Sequence, residues 1–122
     1  MRGTTIADLL AVVLSACTAR DAVHIQVTYA AEPASIPLQT LLVFAGASKS
    51  SWSLLQPGES VSVVLQPQGE PPQVTMTYAV GALPREWRGP AIPAGVGYRI
   101  EITVTADGSV AERHCQMPCS PN

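Results

Sequence analysis

Tyr98-Arg99-Ile100-Glu101-Ile102-Thr103-Val104-Thr105, followed by Asp107-Gly108, is the stretch on which the fold turns. Tyr98, Ile100, Ile102 and Val104 fall on one side of an extended chain, and Arg99, Glu101, Thr103 and Thr105 on the other. A period of two over eight residues predicts a half-buried β-strand. Asp107-Gly108 supplies the two positive-φ positions that a tight type I′ hairpin turn wants, so a further strand is expected over about 109–114.

The same pattern recurs upstream. Val23, Ile25, Val27 and Tyr29 alternate with His24, Gln26 and Thr28, and Val74, Met76, Tyr78 and Val80 alternate with Thr75, Thr77 and Ala79. Val61, Val63 and Leu65 follow the Pro57-Gly58 turn signal with the same period. The apolar run 38–45 predicts a strand covered on both sides, and 51–55 a short one in which Trp52 and Leu54 point into the core. Between these lie 31–37, 66–73 and 81–97, rich in proline and glycine, which are expected as surface connections. Seven short strands with no helical period after residue 20 predict an all-β chain, a small antiparallel sandwich.

The segment Ile92-Pro93-Ala94-Gly95-Val96-Gly97-Tyr98-Arg99-Ile100 resembles the corner before the penultimate strand of immunoglobulin-like sandwiches. That likeness implies a Tyr98 hydroxyl bonded back to upstream backbone. Ile100 stands where an immunoglobulin domain has its second inter-sheet cysteine, and a transthyretin-like sandwich is the other compatible arrangement.

At the opposite end of the chain, Arg2 and an apolar run to Leu14 precede Leu14-Ser15-Ala16-Cys17. A short cationic start, an apolar core and small residues before a cleavage point are the parts of a secretory signal, too short to span a bilayer. An aliphatic residue, two small ones and a cysteine resemble the lipobox of bacterial lipoproteins. The resemblance implies a signal helix removed as residues 1–16, a diacylglycerol-bearing Cys17, a tether over 17–21 and a β domain over 22–122. It also implies a place in the bacterial envelope. Thr18 after the cysteine, where an aspartate is absent, points within that family to the outer membrane, facing the periplasm. The alternative reading is a short amphipathic helix on a cytosolic protein, with Cys17 a buried thiol.

Without residues 1–16, 106 of the 122 residues remain, enough for one domain. Charged residues make up 13% of the chain, and removing Arg2 and Asp8 from the 7 basic and 9 acidic groups leaves 6 and 8. Sparse charge of this balance lacks the clustered Lys and Arg that nucleic acid requires. The partners expected are membrane lipid through Cys17 and an envelope protein at the membrane surface.

Three cysteines are an odd number for an exported chain. Lipidation of Cys17 leaves Cys115 and Cys119 as a pair, which in an oxidising compartment closes a small C-terminal loop. The alternative for the same segment is a Cu(I) or zinc site, since His114, Cys115, Met117 and Cys119 put an imidazole and three sulfurs within six residues. Adjacent residues of an extended chain face opposite ways, which sets His114 against Cys115. Arg85, Trp87 and Arg88 form a candidate binding loop, because loops on rigid sandwiches carry recognition and Trp and Arg are frequent hot spots. A tryptophan flanked by arginines also folds back to cover the open end of a sandwich. Trp52 is expected in the core and His24 at the surface. No Gly-x-Ser-x-Gly elbow, carboxylate pair or phosphate-binding glycine loop is present, so the expectation is a non-enzymatic binding or structural module without a cofactor.

Overall fold

The computed structural model describes residues 22–67, 73–93 and 95–119. The expected signal segment, Cys17 and the expected tether lie outside the described residues. Eight strands follow one another: β1 (Val23–Ala30), β2 (Leu38–Ala45), β3 (Ser48–Leu55), β4 (Ser60–Leu65), β5 (Gln73–Val80), β6 (Leu83–Ala91), β7 (Tyr98–Thr105) and β8 (Val110–Gln116). They form two four-stranded sheets of order β4-β1-β7-β8 and β3-β2-β5-β6. β1 and β7 run parallel, and every other paired neighbour is antiparallel. The result is an all-β sandwich. In the immunoglobulin order the first two strands are neighbours in one sheet. Here β1 and β2 belong to different sheets, so the strand order departs from the immunoglobulin one.

The alternating residues make the core. Val23, Ile25, Val27 and Tyr29 of β1 and Tyr98, Ile100, Ile102 and Val104 of β7 meet Leu41, Val43 and Ala45 of β2 and Val74, Met76 and Tyr78 of β5. These central strands present one apolar face each, so burying both sheets' inner faces removes the apolar surface from water while the outer faces stay wet. Among the described residues no polar or charged side chain is buried.

Two elements differ from expectation. β6 occupies part of the stretch 81–97 that proline content marks as a connection. β6 pairs only with β5, and an edge strand accepts Pro84 and Pro90 because its outward N–H positions need no ladder partner. The apolar run of β2 is covered on one side only, with Leu42 and Phe44 half-buried on the outer face. Its alternation breaks at Thr40, whose φ of 51° lies in the left-handed region, and the register with β5 shifts between Gln39 and Leu42. This bulge lets Leu38 and Leu41, three apart, both face inward. On β3 the consequence passes to Trp52 and Leu55, which pair with Leu41 and Leu38, while Leu54 turns outward and is exposed. Trp52 does pack against the core.

The two ends of the sandwich are distinct. One, here the lower end, gathers Ala22, the β2–β3 turn, the end of β4 and the segment after β8. The upper end holds 31–37, the β3–β4 turn, the β5–β6 turn and Asp107-Gly108.

Candidate functional site

The register of the β4-β1-β7-β8 sheet sets its outward side chains in rows. From the top these are Ser60, Thr28, Thr103 and Ala111; then Ser62, Gln26, Glu101 and Arg113; then Val64, His24, Arg99 and Cys115. The grading follows from the polar half of each alternating strand: short hydroxyls above, where Thr28 and Ser60 bond at 2.7 Å, and long or charged groups below. Over the lowest row lies an open groove of about 440 Å³, lined by His24, Gln26, Ser62, Val64, Arg99 and Met117 among others. It offers an imidazole, a guanidinium, an amide and a hydroxyl beside two exposed apolar side chains, Val64 and Met117. Such a lining can hold an anionic or amphiphilic group by charge-assisted hydrogen bonds on one side and apolar contact on the other. Arg99 lies 3.6 Å from Glu101, which accepts a 2.7 Å hydrogen bond from Arg113. That bond, then the guanidinium charge, holds the Glu101 carboxyl below its ordinary range.

Beside the groove the chain turns after β8. Cys115 and Cys119 are bonded, with Cα atoms 5.7 Å apart, and the loop is fixed to the body by the Met117 amide donating to the Gly97 carbonyl at 2.8 Å. Met117 Sδ lies 3.9 Å from Cys119 Sγ. His114 stands apart from these sulfurs. Its ring stacks on Tyr98 with centroids 5.5 Å apart, and its Nδ1 lies 2.9 Å from a Glu112 carboxylate oxygen. Of the expected soft-metal set, His114 and Cys115 therefore lie on opposite faces of β8, Met117 and Cys119 lie beyond its end, and the cysteine sulfurs are engaged with one another. Among the described residues no group of three or more His, Cys, Asp or Glu side chains converges.

Tyr98 thus spends its ring on His114, and burial, with Glu112 nearby, pushes its hydroxyl pKa up. The hydroxyl-to-backbone bond expected of it is made elsewhere: Tyr29 donates to the Ile36 carbonyl and Tyr78 to that of Gly108, both at 2.7 Å.

The expected binding loop is a strand, and its three residues part company. Arg88 points outward with Arg85's other neighbour, Glu86, and pairs with it at 3.0 Å. Arg85 and Trp87 share the inner face with their partners Tyr78 and Met76. Trp87 is partly buried against the core, lying over Gly89, and Arg85 reaches across to Gly108. Trp87 accordingly packs along the β6 side of the sandwich rather than over an open end. On the outer side of the same sheet a second groove of about 440 Å³ runs past Thr40, Thr77, Ala79, Pro84 and Glu86.

The groove over His24 and Arg99 was not visible beforehand as a unit. Alternation marks each residue as outward, but only the parallel pairing of β1 with β7 makes His24 and Arg99 neighbours.

No protein-family model matches the chain, and no curated protein resembles it in sequence. Among solved structures, an NMR structure of a protein from Eubacterium rectale is similar over 82% of this chain and 94% of that one, with a TM-score of 0.52 at 9% sequence identity. At that identity the likeness is one of fold, and the sandwich built from alternating strands is what the two chains share.

Proposed function

We propose that the chain is a lipoprotein of the bacterial envelope, anchored through acylated Cys17 and presenting a small β-sandwich as a non-enzymatic binding or structural module. In this reading it sits on the periplasmic face of the outer membrane. The observation that carries it is the abruptness with which the fold begins. Ala22 is already buried, its carbonyl accepts the Tyr98 amide at 3.1 Å, and β1 opens at Val23. Only Thr18 to Asp21 separate the lipobox cysteine from this fixed point, a span of at most roughly 18 Å at about 3.5 Å per step. The body then stands with its lower end, its groove and its disulfide loop next to lipid. The disulfide distance of Cys115 and Cys119 fits an oxidising compartment and leaves Cys17 as the odd cysteine.

Intact mass of the protein from its native host tests this directly. The expected species begins at Cys17, carries two or three acyl chains and is two hydrogens lighter than its dithiol form. A chain beginning at Met1 without lipid overturns the reading. Two alkylatable thiols with tight Cu(I) uptake would move the function to metal handling by Cys115, Cys119 and Met117 or His114.

A further inference from the structure

We infer that the lower end of the sandwich is a docking surface for anionic phospholipid headgroups, contacted through Lys49, Arg88 and Arg99. The inference rests on the lipid-anchored reading above and adds to it an orientation and a lipid chemistry.

The argument begins with where the charges fall. The lowest outward row of one sheet is Val64, His24, Arg99 and Cys115, and the matching row of the other is Lys49, Phe44, Thr75 and Arg88. Among the described residues these two rows contain three permanent cations and no carboxylate. Glu86 and Glu101 stand one row further up, each shared with arginine, and Glu112, on the inner side of β8, holds its carboxylate 2.9 Å from His114 Nδ1. At the upper end lie Glu32, Glu59 and Asp107, countered there by Arg85. Arg20, Asp21 and Glu70 lie outside the described residues. Among the described residues the permanent cations thus gather toward the end at which β1 begins, and unpaired carboxylates toward the other.

The arginine pairs do not neutralise that end. The Arg88–Glu86 contact is well exposed and Arg99 is exposed at a loose 3.6 Å from the half-buried Glu101, and pairs in high dielectric are weak and readily exchanged. A headgroup phosphate offers guanidinium a bidentate partner in place of the carboxylate. Val64 and Met117 in the groove and Phe44 on the opposite face add apolar surface at the same level. Attraction to anionic lipid is worth about 1 kcal/mol for each Lys or Arg within a Debye length of about 8–10 Å, roughly a fivefold bias per charge. Such a bias is too small to recruit a free protein firmly. For a body already held within about 18 Å it only has to select one orientation, because the tether supplies the local concentration.

The chain contains a single lysine, Lys49, which gives the test its probe. Acylated protein is placed in vesicles of phosphatidylcholine alone or with one-third phosphatidylglycerol, and modification of Lys49 by a membrane-impermeant amine reagent is timed. Modification is expected to be roughly fivefold or more slower with phosphatidylglycerol. High salt should abolish the difference, and Arg88→Glu with Arg99→Glu should too. Ala34→Glu, Gln39→Glu, Ala82→Glu and Ala106→Glu together shift net charge by the same four units in the same direction at exposed positions of the upper end, keep Lys49 the only lysine, and should leave the protection unchanged. Equal rates in the two vesicle types overturn the docking surface, as does an effect of these four changes as large as that of the arginine reversals, since bulk charge would then suffice. Failure with an acylated mass removes only this inference; an unacylated mass removes the anchored reading beneath it.

Discussion

At position 29 a phenol ring is fully buried while its hydroxyl, from the same side chain, reaches a carbonyl seven residues on. The bond fixes the path of 31–37, which has no ladder of its own. Tyr29→Phe keeps the ring and strands the Ile36 carbonyl, so it is expected to cost about 1 kcal/mol in denaturant unfolding with an unchanged slope. Asp107 is the second residue whose environment makes a measurable demand. Its carboxylate accepts bonds from the Thr105 hydroxyl and the Ser109 amide, which lower its pKa to about 2. A folded-state value below the unfolded one of about 3.9 means that the ionised group stabilises the turn above that unfolded value, and that this is lost as pH falls through about 2. The melting-temperature gap between the natural protein and Asp107→Asn should therefore narrow as pH is taken from about 5 to about 2.

Among the elements, β6 is held at the open side of the sandwich by one close approach. A Cβ placed on Gly89 would lie 2.4 Å from Trp87 ring carbon and 3.0 Å from the Val74 carbonyl oxygen. Gly89→Ala must displace the indole from the core edge, with an expected loss of about 1–3 kcal/mol and a red shift of tryptophan emission; unchanged emission and stability would show that the ring has room to move. The central strands β1, β5 and β7 were legible from sequence because an inner strand facing core on one side and water on the other writes its pattern in period two. β6 was not, since an edge strand obeys neither rule: it tolerates Pro84 and Pro90 and sends Arg85 inward at the open side. Trp52 was placed correctly but its companion was not, because the Thr40 bulge exchanges the faces of β2, and β3 follows through pairing. The cysteine pair was legible from count and spacing. The groove was not, because it depends on which strands become neighbours, and alternation within a strand carries no information about pairing between strands far apart in the chain.

For the molecule as a whole, the disulfide loop is an appendage to a body that closes without it. Breaking the bond, by Cys115→Ser with Cys119→Ser, is expected to cost less than the ~3 kcal/mol of a 15-residue loop, because so short a loop removes little freedom from the unfolded chain. Global unfolding should stay cooperative, with hydrogen exchange faster at the Met117 amide that now bonds to Gly97. A larger feature governs how the body forms at all. β1, the first strand, lies between β4 and β7, and its parallel partner β7 belongs to the last quarter of the chain. Nothing shorter than nearly the whole polypeptide can complete that sheet, and pairings of such long sequence separation form slowly. A nascent chain emerging from the ribosome can meet β4 halfway through synthesis but therefore carries the other edge of its opening strand, the one β7 takes, without a permanent neighbour until almost the end. In the exported reading proposed above, that delay keeps the chain threadable through a narrow translocation pore, so that topology itself defers folding to the far side of the membrane.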